Sequence, residues 1–264
     1  MNFRNKVVWI TGASSGIGEH LAYAFAKQGA KLVLSSRKEQ ELLRVKEACQ
    51  SDSDILILPV DVADFDSLSA KTEEVINRLG CIDILINNAG ISQRDLIINT
   101  DFSVDRKIMA VNYLGTVALT KTVLPHMIER QSGQIVVISS VMGKLALSHR
   151  SAYAASKHAL HGYFDALRSE VAADNIHITL LLPGYVQTNV TLNALKGDGS
   201  KNNVMAPTTK GGMTPEQFAK GALSAISKKK AEVYIGKMKE RAALLIKRFF
   251  PNLFFKMAKK IKPA

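Results

Sequence analysis

Cysteine is scarce in this chain. Cys49 and Cys81, two of 264 residues, are too few and too irregularly spaced for a disulfide framework or a thiolate metal site. They fit a reduced, intracellular protein. Tryptophan occurs once, proline seven times, and no tract is of low complexity, so neither a fibrous nor a disordered chain is indicated. No uncharged apolar run reaches the roughly 18 residues that a bilayer-spanning helix needs. A secretory signal is also missing: Val7-Val8-Trp9-Ile10 runs straight into a glycine loop and reads as a buried strand. The six histidines show no ligand spacing, and no metal is expected.

What is abundant is apolar residue content, 47% of the chain, enough for one substantial core. The net charge of +12 is unevenly placed. From Lys228 onward there are 12 Lys+Arg against 2 Asp+Glu, which leaves residues 1–227 at only +2. Basicity therefore belongs to the tail and is no nucleic-acid footprint of the whole chain.

Short apolar runs alternate with amphipathic stretches. Strands are predicted at 6–10, 31–35, 55–60, 82–86, 134–139, 176–182 and 232–235, and helices near 17–28, 38–50, 66–79, 104–130, 152–174 and 215–228. The strands are continuous apolar runs, as when both faces of a sheet are covered. The expected fold is α/β: a doubly wound parallel sheet of about seven strands flanked by helices, occupying residues 1–236. Residues 189–213, rich in Thr, Gly, Asn and Lys, are expected to form a lid.

The first strand leads into Thr11-Gly12-Ala13-Ser14-Ser15-Gly16-Ile17-Gly18, which opens a helix. Glycines allow close approach to a pyrophosphate and the helix N-terminus donates N–H groups; a tight structural turn is the plainer reading. The second strand ends in Ser35-Ser36-Arg37-Lys38, where an NAD site would carry an acid. Arg37 and Lys38 suit the 2′-phosphate of NADP, so NADP(H) is expected, with NAD(H) as the alternative. Asp61 and Val62 follow the third strand, Asp61 either bonding the adenine amino group or capping a loop. Asn87-Asn88-Ala89-Gly90 ends the fourth strand and can line the same cleft.

Tyr153 and Lys157 stand four apart on a predicted helix, so a phenol and an ammonium share a face, and the cation favours the phenolate. Such pairs are common on helix surfaces. Here the helix follows a strand ending in Ser139-Ser140, and an earlier helix carries Asn112. Either serine fits the unaided reading.

Together the glycine loop, Asn87 to Gly90, Asn112, Ser140, Tyr153, Lys157 and Pro183-Gly184 resemble the short-chain dehydrogenase/reductase family, in its order and spacing, over residues 5–236. The resemblance implies a Rossmann-type sheet. It prefers Ser140, and it implies Tyr153 as general acid/base, Lys157 as ribose anchor and pKa-lowering cation, Ser140 as the bond to the substrate oxygen, and Asn112 as the anchor of a water relay. Pro183, Gly184, Val186 and Thr188 would flank the nicotinamide carboxamide. The stretch 148–158, Thr188-Asn189, Asp198-Gly199-Ser200 and the basic tail are similar to an 11β-hydroxysteroid-dehydrogenase-like and, more closely, an acyl/alkyl-dihydroxyacetone-phosphate-reductase-like branch. Such relatives carry an N-terminal membrane anchor, which this chain, starting almost at its first strand, is expected to lack.

The expected activity is reduction of an apolar or lipid-like carbonyl with NADPH. The rivals are an NAD-dependent alcohol dehydrogenase and a cofactor-binding scaffold without turnover. Pairing into a homodimer or tetramer through 104–130 and 152–174 is implied by the resemblance. The expected location is cytoplasmic. The tail, 237–264, mixes Leu, Ile and Phe with lysines and is split by Pro251. It either lies on a membrane surface, docks on the domain or meets a partner subunit.

Overall fold

The computed structural model describes residues 3–50 and 54–260. The segments 1–2, 51–53 and 261–264, including the last four residues of the tail, lie outside the described residues. The chain runs β1 (Val7–Thr11), α1 (Gly16–Ala26), β2 (Lys31–Ser35), α2 (Glu39–Ala48), β3 (Ile55–Ile57), α3 (Leu68–Leu79), β4 (Ile84–Asn87), α4 (Phe102–Met109), α5 (Gly115–Glu129) and β5 (Gly133–Ile138). It continues with α6 (Ser151–Glu170), β6 (Ile176–Pro183), α7 (Pro207–Lys210), α8 (Pro215–Ser227), β7 (Glu232–Ile235), α9 (Met238–Phe249) and α10 (Pro251–Ala258).

The strands form one sheet in the order β3-β2-β1-β4-β5-β6-β7, and every pairing is parallel. The doubly wound sheet expected from the sequence is thus present. Its order reverses beside β1, and in such sheets ligands bind outside the carboxyl ends of the strands at that point. Alternate residues of the central strands face opposite layers. Val8 and Ile10 pack under α1, α2 and α8, whereas Val7 and Trp9 pack under α3, α5 and α6. Trp9 is fully buried, and its indole N–H donates to Ser35 Oγ at 2.8 Å, so its one polar atom is satisfied.

Two segments depart from the sequence pattern. The continuous helix expected over 104–130 is divided by a π-helical turn, Ala110–Leu114, between α4 and α5. Gly115 packs against the Val62 carbonyl where a side chain would clash. The π-turn carries Asn112, as such bulges often do at functional positions. Farther on, the expected lid at 189–213 contains α7 and is pinned by Leu195 N donating to Ser92 O (2.8 Å) and Arg94 N donating to Leu195 O (2.7 Å).

The edge of the sheet opposite the cleft is tied by Asp83. Its carboxylate accepts from Val7 N (2.9 Å), Lys6 Nζ (3.1 Å) and Arg130 Nη2 (3.2 Å). Burial pushes the carboxyl up, but the Val7 amide, the Lys6 ammonium and the Arg130 charge outweigh it and leave the pKa below its ordinary value. A depressed carboxylate stabilises the fold above its unfolded pKa, and that stabilisation disappears as pH falls through the folded pKa. Asp83→Ala is expected to cost about 2–3 kcal/mol at neutral pH. In urea melts its deficit relative to wild type should shrink toward pH 3 or so; a pH-independent deficit would assign the effect to packing instead.

Candidate active site

The cradle after β1 is built by close backbone approach. Gly12 and Gly16 sit at φ +64° and +60°, which glycine adopts without strain. Any side chain at Gly18 would strike the Gly12 carbonyl and the Asn88 amide, 2.6 Å away. Asn88 Nδ2 holds the loop by donating to Thr11 O (2.9 Å) and Gly12 O (3.1 Å). Thr11 Oγ1 in turn accepts from the backbone N–H groups of Asn88 and Ala89, both at 3.0 Å. Ser15 caps α1 with extended backbone and makes no side-chain cap bond among the described residues, so the helix start, with Ile17, faces the cleft bare. Across the cleft, Thr188 Cγ2 would lie 3.0 Å from a methyl at Gly16.

At the far end of β2, Arg37 is exposed and its guanidinium stands 3.9 Å from Asp61. Asp61 Oδ1 accepts from Ala63 N at 3.0 Å, so the loop-capping geometry is realised. Lys38 precedes α2, its backbone N–H donating to Ser36 Oγ at 3.2 Å. Val62 is buried against Gly115. Ser14 O accepts from Arg44 Nη2 at 3.2 Å, and Arg44 is locked to Glu19 at 2.8 Å. Arg44, from α2, buttresses the glycine loop. The sequence reading did not single it out, because its partners Glu19 and Ser14 lie on another segment.

The second cluster gathers where β4, β5 and α6 converge. Lys157 is buried, and its Nζ donates to Ile138 O at 2.9 Å. Burial pushes its pKa down to about 8. The Nζ stands 5.9 Å from the centre of the Tyr153 ring. The Tyr153 phenol is pushed up by burial, against the hydrogen bond from Ser140 and the charge of Arg150. Lys157 Nζ is turned toward Ile138 O, and Ser140 and Arg150 oppose the desolvation of the phenol. Ser140 Oγ also accepts from Met142 N at 3.1 Å. Ser139 points elsewhere, to His161 Nε2 at 3.0 Å, which separates the two serines that the sequence left equivalent.

Asn112 is fully buried. It accepts from Ile91 N (2.8 Å) and donates to Ile91 O (2.9 Å) and Ser156 Oγ (3.0 Å). A methyl at Gly90 would lie 3.2 Å from Asn112 Oδ1 and 3.6 Å from Lys157 Nζ, so Gly90, Asn112 and Lys157 share one wall. Ser156 was missed as a partner, although it stands inside Tyr153-Ala154-Ala155-Ser156-Lys157. Pro183 ends β6, and Gly184 lies under the Tyr234 hydroxyl. Val186 bridges to Met213 and is buried. Thr188 belongs to a cleft of about 250 Å³ that Gln187, Asn189, Met205, Thr209 and Lys210 also line.

A glycine cradle at the switch point, beside a Tyr-Lys-Ser-Asn cluster, is an arrangement with known counterparts. The short chain dehydrogenase family profile matches residues 6–198. The chain belongs to this family. It is similar to the dehydrogenase/reductase SDR family protein 7-like of Anopheles gambiae, 45% identical over 265 residues, covering 98% of this chain and 84% of that one. Dehydrogenase/reductase SDR family member 7B of Danio rerio is 42% identical, with 97% and 85% covered. Among solved structures, levodione reductase superposes with a TM-score of 0.82 at 26% identity, over 91% of this chain and 99% of that one. This short-chain dehydrogenase is thus an oxidoreductase of the Rossmann type.

Proposed function

We propose that this short-chain dehydrogenase reduces an apolar or lipid-like carbonyl to an alcohol at the expense of NADPH. The observation that carries the reading is the convergence of Tyr153, Ser140, Lys157 and Asn112 beside the glycine cradle. The cradle fits a dinucleotide: Gly12, Ser14, Ser15, Gly16, Ile17 and Gly18 form a tight turn into the start of α1, held by the close approach of Gly18 to the Gly12 carbonyl and Asn88, and its backbone N–H groups suit a pyrophosphate. When bound, the nicotinamide supplies the hydride.

The residues do the rest. Tyr153 delivers its phenolic proton to the carbonyl oxygen in reduction and takes it back in oxidation. Ser140 hydrogen-bonds the same oxygen and keeps the phenol oriented. Lys157 binds the ribose hydroxyls and, 5.9 Å from the ring centre, stabilises the phenolate left after proton transfer. Asn112 fixes the Ile91 backbone and Ser156 and so holds the wall behind Lys157. Asn88, Ala89 and Gly90 line the ribose side; Pro183, Gly184, Val186 and Thr188 flank the carboxamide. Arg37 and Lys38 favour the 2′-phosphate, Asp61 and Val62 the adenine. Pairing of copies through α5 and α6, where Leu114 is exposed beside Tyr113 and Tyr163, belongs to the same proposal.

The test is consumption of NADPH against NADH with steroid, retinal, quinone and acyl-dihydroxyacetone phosphate substrates. NADPH-selective turnover is expected, best with an apolar carbonyl; turnover with NADH alone overturns the cofactor reading. Arg37→Ala should raise KM for NADPH by about tenfold, the worth of one exposed charged hydrogen bond, and change KM for NADH by less than about twofold. An equal rise for both would put Arg37 outside the 2′-phosphate site.

A further inference from the structure

Apolar residues left on the surface are concentrated at one edge. Sixteen large hydrophobic side chains are exposed among the described residues, and thirteen lie in the segments that leave the carboxyl ends of β4, β6 and β7. Leu96, Ile97, Ile98 and Phe102 follow β4, Val190 and Val204 follow β6, and the other seven are on α9, on α10 or between them. Since all strands are parallel, those ends share the edge that carries the Tyr153 cleft. The segments after β4 and β6 also touch, through Asp101 N donating to Gly197 O at 2.9 Å.

The two C-terminal helices are only half docked. Phe254, 4% exposed, inserts among Val141, Met142 and Leu145, in a cluster that Tyr153, Leu244 and Ile246 border. The start of the pair is clamped by Tyr234, whose hydroxyl donates to Lys237 O at 2.6 Å, and by Lys237 Nζ donating to Gly211 O at 2.6 Å. The opposite face has no cover among the described residues. Met238, Leu245 and Phe249, seven and four residues apart, form a stripe along α9 with exposures of 72%, 51% and 64%. Phe250 and Phe255 continue it at 63% and 50%.

Charge decides what fits there. Between Lys237 and Lys260 lie eight Lys and Arg residues and one acid, Glu240, whose carboxylate accepts from the Tyr234 hydroxyl at 3.1 Å. Lys247 lies 4.4 Å over the Phe255 ring, mixing cation and aromatic on one surface. A second copy of the chain would bring like charges together, with one acid per copy to offset them. An anionic lipid surface satisfies both the apolar stripe and the cations. No helix among the described residues is long and apolar enough to cross a membrane, and the 12-residue α9, about 18 Å long, suits the plane of the interface.

We propose that this edge docks on an anionic bilayer, with α9 and α10 in the headgroup layer and the mouth of the Tyr153 cleft turned to the lipid. Docking stands on the surface alone. That an apolar carbonyl enters the cleft from the bilayer rests on the function proposed above.

The full chain is sedimented with phosphatidylcholine vesicles, with and without about 30% phosphatidylserine, and turnover of a small water-soluble carbonyl is measured alongside. Partitioning is expected to be at least about tenfold higher with phosphatidylserine and to fall at high salt. The double substitution Phe249→Glu, Phe250→Glu should lower it about tenfold and leave soluble turnover within about twofold. Equal partitioning into both vesicle types overturns the proposal. So does a wild-type oligomer that the double substitution splits while vesicle binding is absent. Vesicle binding without turnover on any carbonyl supports docking and overturns the reaction instead.

Discussion

Tyr153→Phe is expected to lower kcat for carbonyl reduction by about a thousandfold or more, while NADPH affinity stays within about threefold of wild type. The substitution keeps the ring in its cluster beside Val141, Met142 and Ala154 and removes one oxygen. In the proposed function the cofactor contacts lie on the glycine loop and on Lys157, whose Nζ is held by Ile138 O rather than by the ring. What disappears is the proton. Ser140 is the hydroxyl hydrogen-bonded to the phenol, but an aliphatic hydroxyl is a far weaker acid than a phenol and cannot replace it. The pH profile separates the roles. Reduction uses the protonated phenol, so its rate falls as pH rises through the phenol's pKa, whereas oxidation uses the phenolate and rises there. Lys157→Met removes a cation near the ring and should move the oxidative limb to higher pH. Steady-state kinetics and nucleotide-fluorescence titration provide the check. Residual turnover above about a tenth of wild type would assign proton delivery to another group.

Much of this was legible in the sequence, for identifiable reasons. The strands could be read because a doubly covered parallel sheet demands unbroken apolar runs such as Leu32-Val33-Leu34 and Leu180-Leu181-Leu182. Gly12, Gly16 and Gly18 could be read because a tight approach to a helix start leaves glycine as the residue that fits. What stayed hidden depended on contacts between distant segments. The helix over 104–130 has an uninterrupted local pattern, and the π-turn at Asn112 is defined by Ile91, Ser156 and the Val62 carbonyl, far away in sequence. Ser139 and Ser140 are chemically equivalent until His161 claims the first. Residues 189–213 look like an open loop until Ser92 and Arg94 pair with Leu195. In the tail, composition marked apolar residues among lysines but not their division into an inner face at Phe254 and an outer one through Phe249.

Gly18→Ala is expected to weaken NADPH binding by about 100-fold or more, near 2.7 kcal/mol. Gly18 does not lie in the left-handed region, so the added methyl brings no backbone strain, and its whole effect is steric. It meets the Gly12 carbonyl well inside contact and stands 2.6 Å from Asn88 Nδ2. Neither neighbour is a flexible tip. Gly12 is backbone at the turn, and Asn88 is committed to the Thr11 and Gly12 carbonyls at 2.9 and 3.1 Å. Relief therefore requires the loop to lift from β4, which opens the Asn88 clasp and moves the amides at the start of α1 away from the pyrophosphate position. Overpacking of this kind costs about 1–3 kcal/mol of stability, a fall of roughly 2–12 °C in Tm for a chain of this size. The variant should therefore remain folded, with a cooperative melt by circular dichroism, and still fail to quench on nucleotide titration. Gly16→Ala tests the same cradle from the other side, since its methyl meets Thr188 Cγ2 at 3.0 Å and its φ of +60° adds strain. If both folded variants bound NADPH as wild type does, the glycine loop would be a structural turn, and the dinucleotide would have to lie elsewhere along the carboxyl edge of the sheet.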